Sequence, residues 1–186
     1  LSGKDEEIGA QQLAVLIVIR GETTDLSVIK QGMLLFHRSI PIGSSSFVED
    51  IASNMNLELE EAMDVFNNLT IPLAGEESLD PKIEQAYHVI KQTLKDLTTE
   101  IQRTIEFYHQ SQQDNERVQQ LVLADKGAKI KNLDHYFSQV LGVDVEIGNP
   151  IRFLSFDESK FPIEYMNEYG TVFTTAIGLA RRGIEE

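Results

Sequence analysis

Val18-Ile19-Arg20-Gly21-Glu22-Thr23-Thr24-Asp25 is the stretch on which the reading of this chain turns. The apolar run before and through it, Leu13 to Ile19, reads as a buried strand, and the alternating segment Thr24 to Lys30 reads as a second. The join between them is a tight turn that carries a glycine and two threonines. Such a turn can offer backbone N–H groups and Thr hydroxyls to a phosphate, as an anion-binding nest does. The same residues also suit an ordinary hairpin, in which the threonines serve only their β preference.

Downstream, Met33 to Ile40 alternates as a third strand, reached through Lys30-Gln31-Gly32, where Gly32 can take positive φ. After Gly43 come three serines able to cap a helix, and Phe47, Val48, Ile51, Ala52 and Met55 then recur at helical spacing. A short amphipathic helix is expected from Glu58 to Leu69, followed by the breaker-rich stretch Ile71 to Asp80. Asp80-Pro81 pairs an N-cap with a proline in the first turn. The apolar stripe Ile83, Ala86, Val89, Ile90, Leu94, Leu97, Ile101, Ile105 and Tyr108 then predicts one long helix to about Gln112. Val118 to Leu123 reads as a strand, Leu133 to Leu141 as a helix stopped by Gly142, Val143 to Ile147 as a strand, and Tyr169 to Arg182 as a closing helix. This order implies an α/β fold, a mixed sheet covered by helices with a small helical lobe inserted after the first helix. It excludes a plain dinucleotide-binding fold, which needs a Gly-rich fingerprint right after the first strand and strict β-α alternation.

Composition narrows the function classes. The 186 residues fit one domain with a small insertion, and 41% apolar with 25% charged residues is ordinary for a globular chain. A net charge of -14 opposes nucleic acid and anionic lipid, and the densest basic segment, Lys126, Lys129 and Lys131, is flanked by Asp125 and Asp134. Without cysteine there are no disulfides and no thiolate metal sites. Leu13 to Ile19 is far too short to span a bilayer, so no direct membrane insertion is expected. Leu1 stands where an initiator methionine would, and the chain is read as a piece of a longer protein.

Five segments in order carry a resemblance. Val18 to Asp25 is similar to the second phosphate motif of actin-like ATPases, commonly Asp-Ile-Gly-Gly-Gly-Thr-Thr-Asp. Ile40-Pro41-Ile42-Gly43 with Phe47 and Asp50-Ile51-Ala52 resembles their strand-to-helix step. Glu100-Ile101-Gln102-Arg103-Thr104-Ile105-Glu106-Phe107-Tyr108 resembles the Glu-Ile-Gln-Arg-Ser helix of the type IV pilus assembly PilM family, Leu121 to Leu133 its adenosine loop, and Ala176 to Gly183 its closing helix. FtsA and GspL proteins are more distant relatives. The resemblance implies an actin-like ATPase (ribonuclease H-like) fold, with residues 1–53 and 116–186 as subdomain 2A and 54–115 as the inserted 2B. It further implies ATP and magnesium as cofactors, with Gly21, Thr23, Thr24, Glu100, Arg103, Gly127 and Ala128 at the nucleotide. The implied setting is cytoplasmic, peripheral to the inner membrane. The implied partners are PilN-like membrane proteins, bound through a first domain outside this sequence, and further copies in a ring.

The departures are as informative as the matches. Val18 stands where the family usually has an aspartate that positions metal-bound water, and valine cannot accept that hydrogen bond. Arg20 stands where a glycine is usual; its guanidinium could compensate by pairing with phosphate, or the site has decayed. Asp125-Lys126 replaces the Gly-Gly pair of the adenosine loop, leaving Gly127 and Ala128, and Ser44 replaces a second glycine. Loss of charge positioning removes the main source of phosphoryl-transfer catalysis. The expectation is a scaffold subunit of a type IV pilus or related secretion assembly platform with a degenerate nucleotide site, the alternative being a nucleotide-regulated ATP-binding protein with slow hydrolysis. A sugar-kinase-like enzyme of the same superfold is disfavoured, because its catalytic base would lie in the first domain.

Other candidates read as structure. His37, His88, His109 and His135 show no metal-ligand spacing. Glu58, Glu60, Glu61 and Asp64 lack the glycine of a calcium loop and suit a solvated helix face. Glu100 and Arg103, one turn apart, could simply pair. The aromatic group Phe153, Phe156, Phe161, Tyr165 and Tyr169 suits either the core or an exposed contact surface, with the core favoured.

Overall fold

The computed structural model describes residues 13–73, 80–111, 116–149, 151, 160–163, 165–166, 170–173 and 176–177. Their sheet has five strands: β1 (Ala14–Ile19), β2 (Thr24–Lys30), β3 (Met33–Ile40), β4 (Gln120–Ala124) and β5 (Asp144–Ile147), in the order β3-β2-β1-β4-β5. The first three form an antiparallel meander, and β4 and β5 continue from β1 in parallel. Gln31 and Gly32, with φ of 51° and 73°, close the β2–β3 hairpin in the left-handed pair of conformations that matches strand twist.

Four helices accompany these strands: α1 (Ser44–Met55), α2 (Leu59–Asn67), α3 (Pro81–Ser111) and α4 (Leu133–Leu141), with a 3₁₀ turn at Lys126–Lys129. The Oδ1 of Asp80 accepts the Lys82 N–H at 2.8 Å, so the capping expected before Pro81 is present. The strand and helix expectations hold to within a residue or two, except that the 3₁₀ turn carries no periodic signal and was not anticipated. The closing helix expected over 169–182 lies largely outside the described residues. Of the aromatic group expected in the core, Phe153, Phe156 and Tyr169 also lie outside them, while Phe161 and Tyr165 are exposed.

One contiguous core joins the sheet with α1, α2 and α3. Val15, Ile17, Ile19, Leu26 and Val28 from β1 and β2 pack with Phe47 and Ile51 of α1, Phe66 of α2 and the α3 stripe Ile90, Leu94, Leu97 and Ile101. Phe47 stacks on Phe66 with ring centroids 6.2 Å apart, a junction whose truncation to alanine costs about 3–5 kcal/mol. The α2 to α3 stretch therefore shares its apolar face with the sheet.

Candidate functional site

The β1–β2 turn is closed by the Arg20 N–H, which donates to Thr23 O at 2.9 Å. Gly21 and Glu22 form its exposed tip and Thr23 is half-buried. The helix that follows β3 is locked onto this turn. Ser44 N–H donates to Arg20 O at 2.7 Å and Ser45 N–H to Gly21 O at 2.8 Å. The first amides of α1 are thus satisfied by loop carbonyls, whereas a serine side-chain cap was expected; Gly43 is the N-cap, and the Ser46 hydroxyl reaches back to its N–H at 3.5 Å. A Cβ on Gly43 would lie 2.2 Å from Gly21 O and 2.7 Å from Arg20 O, so this glycine is required by close approach of two backbones.

Thr24 has a structural task. Its side chain is buried and its hydroxyl donates to Ile42 O at 2.7 Å, tying the turn to the segment that feeds α1. On the other face of β2, Asp25 stands opposite Val18 in register. Its Oδ2 lies 3.3 Å from Nε of Arg20, so the two residues flanking this turn neutralise one another. Val18 is only 7% exposed and lies between Asp25 on one neighbouring strand and Ala124 on the other. An apolar side chain beside an ion-paired carboxylate is a poor seat for a hydrated divalent ion. These residues do not fit magnesium.

The end of β4 meets the same end of the sheet. Gly127 packs directly on β1: a Cβ there would fall 2.2 Å from Ile19 Cγ2. Ala128 is fully buried and its N–H donates to Asp125 O at 3.1 Å. Asp125 itself has φ 71° and ψ -171°, a conformation that is essentially confined to glycine. Its Oδ1 accepts the Lys126 N–H at 2.6 Å. The backbone shape that a glycine would adopt is therefore kept, under strain, by an aspartate. Beyond it, Ile71 N–H donates to Lys131 O, Lys131 N–H to Leu69 O, and the Asn132 amide to Ile71 O, which stitches this loop to the end of α2.

Glu100 and Arg103 do pair, Nη1 to Oε1 at 2.7 Å, but in a larger group. Arg38 of β3 donates from Nη2 to Glu100 Oε2 at 2.9 Å and from Nη1 to Thr104 Oγ1 at 3.0 Å. One carboxylate is thus held between two guanidiniums under the outermost strand, with β2 separating that strand from β1, where Gly127 packs. The sequence reading missed Arg38 and Thr104. Strand alternation could have found Arg38, because Phe36, Arg38 and Ile40 share the face that meets α3 and the core.

The remaining candidates are structural. Glu58 is the N-cap of α2, Glu60 and Glu61 lie in its first turn, where the helix dipole favours negative charge, and Glu61 pairs with Lys82 at 2.6 Å. His109 Nε2 accepts the Val118 N–H at 3.2 Å at the step from α3 towards β4. Burial, and then the Arg117 cation, hold its pKa below the ordinary histidine value. No helix among the described residues is long and apolar enough to cross a membrane.

Against solved structures, the chain superposes with a TM-score of 0.80 on the PilM-PilN type IV pilus biogenesis complex, at 26% identity, covering 95% of this chain and 47% of that one. It therefore spans about half the length of that relative. MreB5 of Spiroplasma citri bound to AMPPNP gives 0.60 at 20% identity over 96% of this chain and 56% of its own. The ethanolamine utilization protein EutJ from Carboxydothermus hydrogenoformans gives 0.57 at 17% over 73% and 44%. The last two share only the fold, which is the actin-like one expected from the ordered motifs. The sequence itself matches the family described as type IV pilus assembly protein PilM over residues 6–184, and the chain belongs to that family.

Proposed function

We propose that this chain is the second large domain of a platform subunit in type IV pilus assembly, with an actin-like nucleotide site that does not support hydrolysis. Residues 54–115 are read as an inserted 2B element on a 2A body, although the two share one core. The subunit sits on the cytoplasmic side of the inner membrane, held there by a PilN-like partner that binds the other half of the protein, and assembles with further copies. The observation that carries the degenerate-site reading is the Val18, Arg20 and Asp25 arrangement: the family's metal-positioning carboxylate is a buried valine, and the nearest acidic residue in register is ion-paired. Without a positioned metal, phosphoryl transfer loses its principal charge stabilisation. Gly21, Thr23 and Thr24 at the turn, Gly127 and Ala128 on the facing loop, and Glu100 with Arg103 are the residues proposed to border any nucleotide this site holds. Arg103 is 67% exposed, which favours a second reading in which ATP still binds and regulates assembly. Titration of the full-length protein with a fluorescent ATP analogue tests both. The platform reading expects no micromolar binding, whereas micromolar binding that is lost in Arg103→Ala would replace it with the regulated one.

A further inference from the structure

Strand β3 ends the sheet, and among the described residues no strand lies along its outer edge. Of its eight residues only Ile40 is buried. The register shift between Val28 and Ile29 breaks the alternation, so the neighbouring residues Met33, Leu34 and Leu35 are all exposed, at 59%, 62% and 45%. Phe107 of α3, 59% exposed, leans on Phe36 with centroids 6.1 Å apart and continues this apolar surface around the strand. Proteins protect such an edge with lysine, proline or inward charge. Between Met33 and Ile40 there is no proline, lysine or acidic residue, and the inward charge of the strand, Arg38, is paired with Glu100.

Charge gives the edge a direction. The ionisable residues of β3 are His37 and Arg38, and Arg103 joins them from α3. The carboxylate that Arg38 and Arg103 contact, Glu100, is shared between the two guanidiniums, so that group is cationic on a chain of net charge -14. The next carboxylate along the helix, Glu106, takes the amide of Gln102. We propose that β3 accepts an extended segment of a partner protein in which apolar residues alternate with Asp or Glu, added to the sheet as a further strand. Main-chain hydrogen bonds supply the affinity in such strand addition, and alternate side chains supply the choice of partner. A second copy of this chain is the poorer occupant, because pairing β3 with itself sets cationic strip beside cationic strip with no acid in either strand.

The test uses fluorescein-labelled peptides matched to the eight residues of β3. One alternates glutamate and valine, one alternates lysine and valine, and one is the glutamate peptide with alternate amides N-methylated. Anisotropy titration of the chain at low salt should show saturable binding of the first, weakened about ten-fold or more for each of the others. Leu34→Glu, at a highly exposed position, should weaken the glutamate peptide about ten-fold while leaving the thermal melt unchanged. Absence of saturable binding up to millimolar peptide, equal binding of the two charge types, or indifference to N-methylation overturns the proposal. Sedimentation equilibrium supplies the remaining arm: a concentration-dependent dimer that Leu34→Lys abolishes would make a second copy the occupant and overturn it as well.

Discussion

Gly43 and Gly21 belong to the same corner of the molecule, yet substitution should separate them sharply. A Cβ on Gly43 meets only backbone, at 2.2 Å from Gly21 O, 2.7 Å from Arg20 O and 2.7 Å from Glu22 C. An unstrained carbon–oxygen contact needs about 3.3 Å, so the turn must retreat by about 1 Å. That retreat opens the Ser44 to Arg20 and Ser45 to Gly21 hydrogen bonds, now 2.7 and 2.8 Å. Each is worth about 0.5–1.5 kcal/mol net, and overpacking adds about 1–3 kcal/mol. Alanine recovers about 0.4–1 kcal/mol through the unfolded chain, since φ -135° at Gly43 is open to any residue. The sum is a loss of about 3 kcal/mol, or about 6–12 °C in melting temperature for a chain of this size. On Gly21, by contrast, a Cβ would find nothing nearer than the Ser45 Oγ at 3.6 Å, and Gly21→Ala should melt within about 2 °C of the parent. Thermal melts followed by far-ultraviolet circular dichroism decide it. Equal melting of the two variants would refute the argument that the turn is clamped to α1 through Gly43.

Asp125 occupies glycine backbone, so Asp125→Gly should exceed Asp125→Ala in stability by about 1–3 kcal/mol in urea denaturation, although alanine is the better residue at ordinary positions; equality would show that the position is unstrained. Arg38 and Glu100 should couple by about 0.5–1.5 kcal/mol in a double-mutant cycle of Arg38→Met with Glu100→Gln, and additive losses would mean that the contact contributes nothing to stability. His109 has a depressed folded pKa, so its contribution to stability is complete above the unfolded value near 6.5 and is lost as pH falls from there through the folded value. Wild type should therefore lose urea resistance between neutral and mildly acidic pH, and His109→Gln should lose less over the same window. A variant that tracks the wild type would assign that loss to other groups.

The strands, the long helix and the glycine turns were legible because local rules govern them. Alternation placed β2 and β3, and Asp80-Pro81 and Gly142 marked helix ends at which the cap geometry was indeed found. What stayed hidden depends on contacts between segments remote in sequence. Nothing near Thr24 shows that its hydroxyl answers Ile42 O, and nothing near Gly127 shows that it lies against Ile19. The serines after Gly43 looked like caps because a sequence does not reveal that a turn twenty-odd residues earlier supplies the carbonyls. Family resemblance drew attention to Val18, Arg20 and Asp125, while the structure added that Arg20 closes on Asp25 and that Asp125 keeps a glycine conformation. Arg38 was within reach of strand alternation and was passed over because its partners sit on a helix more than sixty residues away.

The proposal that the site has lost hydrolysis is tested most directly by magnesium-dependent phosphate release from ATP by the full-length protein, with the double variant Val18→Asp, Arg20→Gly measured beside it. The account predicts that the parent releases no phosphate above the protein-free rate, because no carboxylate positions a metal at Val18 and Asp25 is paired with Arg20. Turnover by the parent that requires magnesium and disappears in Arg103→Ala would contradict it.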